Sequence, residues 1–329
     1  MELPEEGEIL AHKRFTVTEM SYEKIRVIGE GTFGQVILAR KGRARYALKK
    51  VTKEKEGIPV TTIREIQVLR AMSHPSIIRL MEMVVEPGGD VYMVFPYFPY
   101  DLNRFIRNNR LAPEEVKHIF HQIAKGVWYI HNKGIMHRDL KSANILLDHK
   151  LNAAIADFGM ARYVAKAGMH TPGTVTLWYR PPEILLGSYN YTYAVDIWSL
   201  GCILTEMYLG YMIFQGNTEI SQLEMIIHAC GSINENSYPG VQNLPGFRNF
   251  RLPQSPRRIE KIIESHDESA VQIISRMLCL DPSNRITIDQ IVKDEYLKDR
   301  SCKDASNAPL RNFNPKEDES SLCKRKNDD

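Results

Sequence analysis

Residues 135–159, IMHRDLKSANILLDHKLNAAIADFG, constrain this chain more than any other stretch. Ile135-Met136 and Ile145-Leu146-Leu147 are short apolar runs that read as buried strands, and the polar residues between them form a loop on rigid supports. Such a loop can hold Asp139 where a hydroxyl would lie, with Lys141 and Asn144 reaching the same small volume. A third run, Ala153-Ala154-Ile155-Ala156, leads to Asp157, and Gly159 permits a sharp turn. Asn144 and Asp157 converging on one point would supply hard oxygen ligands, which suits Mg²⁺ bridging phosphates. Taken singly these residues are ordinary turn formers; both groups in this order point to a site.

The composition sets the frame. With 329 residues the prior is two domains, and 43% hydrophobic residues are enough to build a real core. Lys and Arg number 43 against 40 acids, so a net charge of +3 gives no bulk drive toward nucleic acid or membrane. The cysteines at 202, 230, 279, 302 and 323 are odd in number and lack paired CxxC spacing, which favours a reduced compartment over a disulfide scaffold or zinc site. MELPEEGEIL at the start has no apolar core like that of a signal peptide. The most apolar stretch, Val195 to Phe214, contains Asp196 and Glu206, so it reads as a buried helix rather than a membrane span.

Upstream, Ile28-Gly29-Glu30-Gly31-Thr32-Phe33-Gly34-Gln35-Val36 spaces three glycines so that backbone amides can approach phosphate oxygens. A dinucleotide fold would need a helix straight after the last glycine. Here Val36-Ile37-Leu38 is apolar and β-branched, Gly42 offers a turn, and Tyr46-Ala47-Leu48-Lys49 reads as the next strand. The pattern is strand, lid, strand. Residues 57–72 read as a helix with Pro59 in its first turn and Ile66, Leu69 and Met72 as its apolar stripe. Ile63 is two residues from Glu65, so at about 100° per residue the two project to opposite faces. An outward Ile63 suggests a docking surface for another protein. Residues 113–133 read as an amphipathic helix, with Val116, Ile119, Phe120, Ile123, Val127 and Ile130 on its core face and Gly134 ending it.

His137-Arg138-Asp139-Leu140-Lys141-Ser142-Ala143-Asn144, followed by Asp157-Phe158-Gly159, resembles the catalytic loop and metal-binding triplet of eukaryotic protein kinases. The resemblance implies an α+β fold in two lobes. A five-stranded antiparallel sheet with one activation helix is expected over 22–98 and a mainly helical lobe over 99–300, with 1–21 an N-terminal extension and 301–329 a polar tail. ATP and Mg²⁺ are the implied cofactors. Asp139 would accept the substrate hydroxyl proton, Lys141 would neutralise charge on the transferred phosphate, and Asn144 and Asp157 would hold the metal. The nucleotide would lie beneath Ile28, Gly29, Glu30, Gly31, Thr32, Phe33, Gly34, Gln35 and Val36, against Ala47, with Phe95 behind the adenine and the backbone of Pro96 and Phe98 at its edge. Lys49 would pair its phosphates. Glu65 is implied as the partner of Lys49, but Thr62-x-x-Glu65 also fits a capping box, and both readings stand.

Pro59-Val60-Thr61-Thr62-Ile63-Arg64-Glu65 is similar to the signature helix of cyclin-dependent kinases, which implies a cyclin against Ile63. Gly57-Ile58-Pro59 looks more like the transcriptional members. Thr171 sits where the family carries an activating phosphothreonine, and Arg64, Arg138 and Arg162 match the cradle for its phosphate. Val175 to Glu183 resembles the substrate shelf of proline-directed kinases, and Pro181-Pro182 looks like the subgroup that acts on the RNA polymerase II C-terminal domain. The resemblance pairs Glu183 with Arg285 and sets Asp196 to brace the catalytic loop. Cell-cycle members carry Thr-Tyr where this chain has Thr32-Phe33, so tyrosine inhibition is impossible there. The expectation is a cyclin-activated serine/threonine kinase acting on Ser-Pro or Thr-Pro sites. Its partners are a cyclin and that protein substrate, with no direct nucleic acid and no membrane. A cell-cycle kinase and a non-enzymatic pseudokinase scaffold are the alternatives. The nucleus is the expected location, with the cytoplasm second; Lys324-Arg325-Lys326 is a weak nuclear signal.

Overall fold

In the computed structural model of the chain, residues 17–31, 34–51, 57–164, 176–190, 192–264 and 267–298 are described. Six strands form the first sheet: β1 (Val17–Glu19), β2 (Glu23–Gly31), β3 (Gly34–Lys41), β4 (Ala44–Lys50), β5 (Glu82–Val85) and β6 (Val91–Pro96), in the order β1-β5-β6-β4-β3-β2. Neighbours are antiparallel except β1, which runs parallel to β5. The expected sheet of five antiparallel strands is thus a mixed sheet of six, and it begins before Tyr22. The added strand is three residues long and carries no periodicity of its own. What makes it a strand is the open edge of β5, whose Val85 carbonyl accepts from Met20 N at 3.0 Å, while Thr18 Oγ1 donates to Glu82 at 3.0 Å.

Between β4 and β5 lies α1 (Val60–Arg70), with Pro59 as its N-cap residue. After β6 come β7 (Tyr100–Asp101) and α2 (Leu102–Asn108); Asp101 caps α2 by accepting from Arg104 N at 2.8 Å. α3 (Pro113–Asn132) buries all six apolar residues of its expected core face. Their burial contributes on the order of 10 kcal/mol before conformational entropy is charged against it. Gly134 follows at φ 73°, a left-handed conformation that suits glycine. β8 (Ile135–Met136), β9 (Ile145–Leu147), β10 (Ala153–Ile155) and β11 (Arg162–Tyr163) then frame the polar loop, in two small sheets ordered β10-β9-β7 and β11-β8.

The floor continues with α4 (Pro182–Leu185), α5 (Ala194–Leu209) and α6 (Glu219–Cys230), and five more helices follow among the described residues between Pro245 and Lys298. Every residue of α5 from Val195 to Tyr208 is buried, as expected of a helix that is apolar on all sides. No helix among the described residues is long and apolar enough to cross a membrane. One large core runs from α1, Met93 and Phe95 through α3 into α5, and a smaller cluster of Tyr22, Ile37, Leu48, Val84 and Tyr92 covers the other side of the sheet.

Candidate active site

The loop between β8 and β9 stands on one buried carboxylate. Asp196, in the first turn of α5, accepts from His137 N and Arg138 N at 2.8 Å each and lies 2.9 Å from His131 Nε2. Burial works to raise this carboxyl, but His131, His137 and the Arg138 amide hold it below the ordinary aspartate value. Arg138 has a left-handed φ of 68°, a conformation that costs a non-glycine residue about 1–3 kcal/mol. The two bonds to Asp196 fix the backbone that leads into it.

That turn delivers Asp139, only 3% exposed. Its Oδ2 accepts from Lys141 Nζ at 2.7 Å and Asn144 Nδ2 at 3.2 Å, whereas its Oδ1 is buried with no hydrogen-bond partner among the described residues. Asn144 Nδ2 also donates to the Asp139 carbonyl at 2.9 Å, and Lys141 Nζ donates to Thr176 Oγ1 at 2.9 Å. Asp157 follows β10 in the left-handed region, at φ 63° and ψ 74°, with a carboxylate oxygen 3.6 Å from Lys49 Nζ. Phe158 after it is fully buried, edge-on to His137 at 4.7 Å between ring centres.

Lys49 donates to both oxygens of Glu65 at 2.7 Å. Glu65 is therefore the lysine's partner, not a cap. The capping reading fails because the N-cap of α1 is Pro59, three residues before Thr62, the position that Glu65 would have to close. Burial pushes the Glu65 carboxyl up, against the pull of Lys49.

Above them, the β2–β3 hairpin carries Ile28, Gly29, Glu30, Gly31, Gly34, Gln35 and Val36. Gly34 adopts φ 112°, which a side chain would strain. Register sets Val36 beside Lys49 and Ala47 beside Phe95, so Val36, Ala47 and Lys49 share one face of the sheet. Phe98 packs at the margin of the large core. Thr32, Phe33 and Thr171 lie outside the described residues.

Arg64, Arg138 and Arg162 come together from α1, the loop and β11; burial first, then the charges of Arg162 and Arg138, lower the pKa of Arg64. Arg162 Nε is buried without a hydrogen-bond partner among the described residues. On the opposite face of α1, Ile63 is 42% exposed, beside exposed Ile58 and Val60. Deeper in the helical part, Arg285 donates to Glu183 at 2.8 and 3.0 Å, both side chains buried, as expected.

Sequence reasoning missed Thr176 as the second acceptor for Lys141. It also missed a buried polar cluster of Asn103, Ser142, Tyr179 and Glu206 beneath the loop. No local pattern marks that cluster, because its members lie 27 to 103 residues apart in sequence.

A protein kinase domain model matches residues 22–297. The chain belongs to the protein kinase family. This kinase is 76% identical over 329 residues to the "Probable CTD kinase subunit alpha homolog" of Encephalitozoon cuniculi (strain GB-M1), covering 100% of both chains. It is 39% identical over 297 residues to the CTD kinase subunit alpha of Schizosaccharomyces pombe, covering 87% of this chain and 50% of that one. Among solved structures it resembles a chain of the crystal structure of the yeast RNA Pol II CTD kinase CTDK-1 complex, with a TM-score of 0.80 and 34% identity, over 88% of this kinase and 96% of that chain. The arrangement of a sheet lobe with one helix over a mainly helical lobe is the family's fold.

Proposed function

We propose that this kinase is a cyclin-activated serine/threonine kinase that transfers the γ-phosphate of ATP to Ser-Pro sites of the RNA polymerase II C-terminal domain, in the nucleus. The observation that carries the chemical part is the state of Asp139. One carboxylate oxygen is held by Lys141 and Asn144 and the other is buried with no hydrogen-bond partner among the described residues, an acceptor kept ready for a hydroxyl. The assignment to the polymerase rests on 76% identity across the full chain to the CTD kinase alpha homolog.

In this reading Asp139 orients the substrate hydroxyl and takes its proton, while Lys141, steadied by Thr176, faces the transferred phosphate. The Asn144 amide nitrogen is spent on Asp139, which leaves its side-chain oxygen as the atom to meet a metal. That oxygen and the Asp157 carboxylate form a hard donor set that fits Mg²⁺. When bound, Mg²⁺ neutralises charge on the phosphate oxygens. The Lys49–Glu65 pair keeps the ammonium aimed at the nucleotide, under the hairpin that spans Ile28 to Val36. Among the described residues a Cβ built at Gly29 would meet only Val36, at 3.8 Å, and the space suits a phosphate.

The regulatory part of the proposal has two sites. Exposed Ile63, with Ile58 and Val60, supports a cyclin docked on the outer face of α1, where it would hold Glu65 inward. Arg64, Arg138 and Arg162 bring positive charge to one place, and phosphorylated Thr171, with about −1.5 to −2 charges, would be held there. The test is phosphate transfer from radiolabelled ATP by the enzyme copurified with its partner. Preference for a C-terminal-domain repeat peptide over a histone peptide, with a transcription-type cyclin bound, is the expected result. A mitotic cyclin and preference for histone would overturn the polymerase assignment.

A further inference from the structure

Beneath the catalytic loop, four side chains from four elements meet in a buried polar cluster. Ser142 Oγ lies 3.0 Å from Glu206 Oε1 and 2.8 Å from Tyr179 Oη, and Tyr179 Oη lies 2.8 Å from Glu206 Oε2. These three oxygen contacts form a closed ring. Ser142 is 0%, Glu206 2% and Tyr179 3% exposed, so the ring is closed to bulk solvent.

Counting hydrogens decides the state of the ring. The two hydroxyls hold two protons between them. If Glu206 were a carboxylate, one of the three short contacts would be an oxygen pair with no proton between. The neighbours do not fill that gap. Asn103 Nδ2 donates to Ser142 Oγ and Glu206 Oε1 at 3.1 Å each, and Ser142 N donates to Tyr179 Oη at 3.3 Å. With one proton on Glu206 Oε2 the ring closes: Glu206 gives it to Tyr179, Tyr179 gives its own to Ser142, and Ser142 gives its own to Glu206 Oε1. Every oxygen then stays within its acceptor capacity.

We propose that Glu206 is held as a neutral carboxylic acid, and that its ring with Ser142 and Tyr179 positions the catalytic loop against the substrate shelf. Ser142 is one residue from Lys141 and two from Asn144, while Tyr179 closes the turn Leu177–Tyr179 that begins beside Thr176. Glu206 therefore joins the phosphate-transfer side of the site to the peptide side. It touches no reacting atom and is a positioning residue. The titratable and charged groups facing it are Arg107 from α2, the Tyr179 phenol, and the Cys202 thiol one turn back on α5. Burial, the largest influence, raises its carboxyl above the ordinary glutamate value against the opposing hydrogen bonds and Arg107.

The role in transfer rests on the kinase reading of the cleft, but the protonation state can be read without turnover. In the infrared difference spectrum of the full chain at neutral pH, wild type minus Glu206→Gln, we expect the carbonyl stretch of a protonated carboxylic acid. Only carboxylate bands at that position would overturn the proposal, whatever the activity. In transfer assays with the partner-bound enzyme, Glu206→Gln mimics the neutral acid, since its amide can donate to Tyr179 and its oxygen accept from Ser142 and Asn103. It should keep kcat within about threefold, whereas Ser142→Ala, which breaks two edges of the ring, should lower kcat about tenfold with KM for ATP unchanged. Glu206→Gln as damaging as Glu206→Ala would mean that the carboxylate itself is required and would also sink the idea. If Glu206→Ala fails to fold, comparison of Glu206→Gln with Ser142→Ala still decides.

Discussion

Asp139 shows how little a residue's identity says without its surroundings. Aspartates in loops are commonplace, but this one has one oxygen engaged by two donors and the other buried without a partner among the described residues. Replacing it with Asn should abolish that asymmetry, because an amide cannot serve as a base. Transfer is expected to fall by at least about a hundredfold, with ATP affinity unchanged by equilibrium binding; undiminished turnover would remove Asp139 from the proposed role. Asp196 is the contrasting case. Its folded carboxyl lies below the ordinary aspartate value, so it contributes stability that is present above the unfolded pKa and lost as pH falls through the lower folded value. Asp196→Asn should therefore unfold more easily at neutral pH, by about 3 kcal/mol or more, and lose part of the wild type's steepness on the acid side. Denaturant unfolding from neutral pH down to about pH 3 measures both.

At the scale of elements, α1 works through two faces that its sequence sets apart. Glu65 turns in to Lys49 and Ile63 turns out to solvent. Ile63→Glu is expected to leave thermal unfolding of the isolated chain within about 0.5 kcal/mol of wild type and to abolish pull-down of the activating partner. Retained pull-down would place the partner elsewhere. α3 depends instead on close approach. A Cβ at Gly126 would come within 2.8 Å of Ile155 Cδ1 and 3.0 Å of the Ser76 carbonyl. Those two residues also bind each other, Ile155 N donating to Ser76 O at 2.8 Å. Gly126→Ala should destabilise by about 1–3 kcal/mol despite alanine's better helix propensity, as read by the denaturation midpoint.

Across the whole molecule, contacts of long sequence separation hold the helical part together and the cleft in shape. Glu183 and Arg285 are 102 residues apart and nearly inaccessible to water. The guanidinium also reaches the carbonyls of Cys279 and Ala194 and lies 5.1 Å from the centre of the Trp198 ring. Glu183→Ala leaves that cation buried without its counter-charge, an expected loss of about 3–5 kcal/mol; a melting temperature equal to wild type would contradict this account. Asp196 couples the same region to chemistry, because α5 carries both Asp196 under the loop and Glu206 under its far end.

The sequence by itself determined the parts whose partners are local or whose pattern is periodic. The apolar face of α3, the lid glycines, the strands about the catalytic loop and the order of Asp139, Lys141, Asn144 and Asp157 were all legible, because short-range sterics and burial periodicity write themselves into neighbouring residues. Glu65 was legible only as two alternatives, and the tertiary fold chose between them by bringing Lys49 within 2.7 Å. Strand β1 was not legible at all. Three residues carry no period, and their state was decided by the free backbone groups at the edge of β5. The ring of Ser142, Tyr179 and Glu206 was hidden for the same reason on a larger scale: a hydroxyl, a phenol and an acid are ordinary residues until folding buries them and makes them partners of one another.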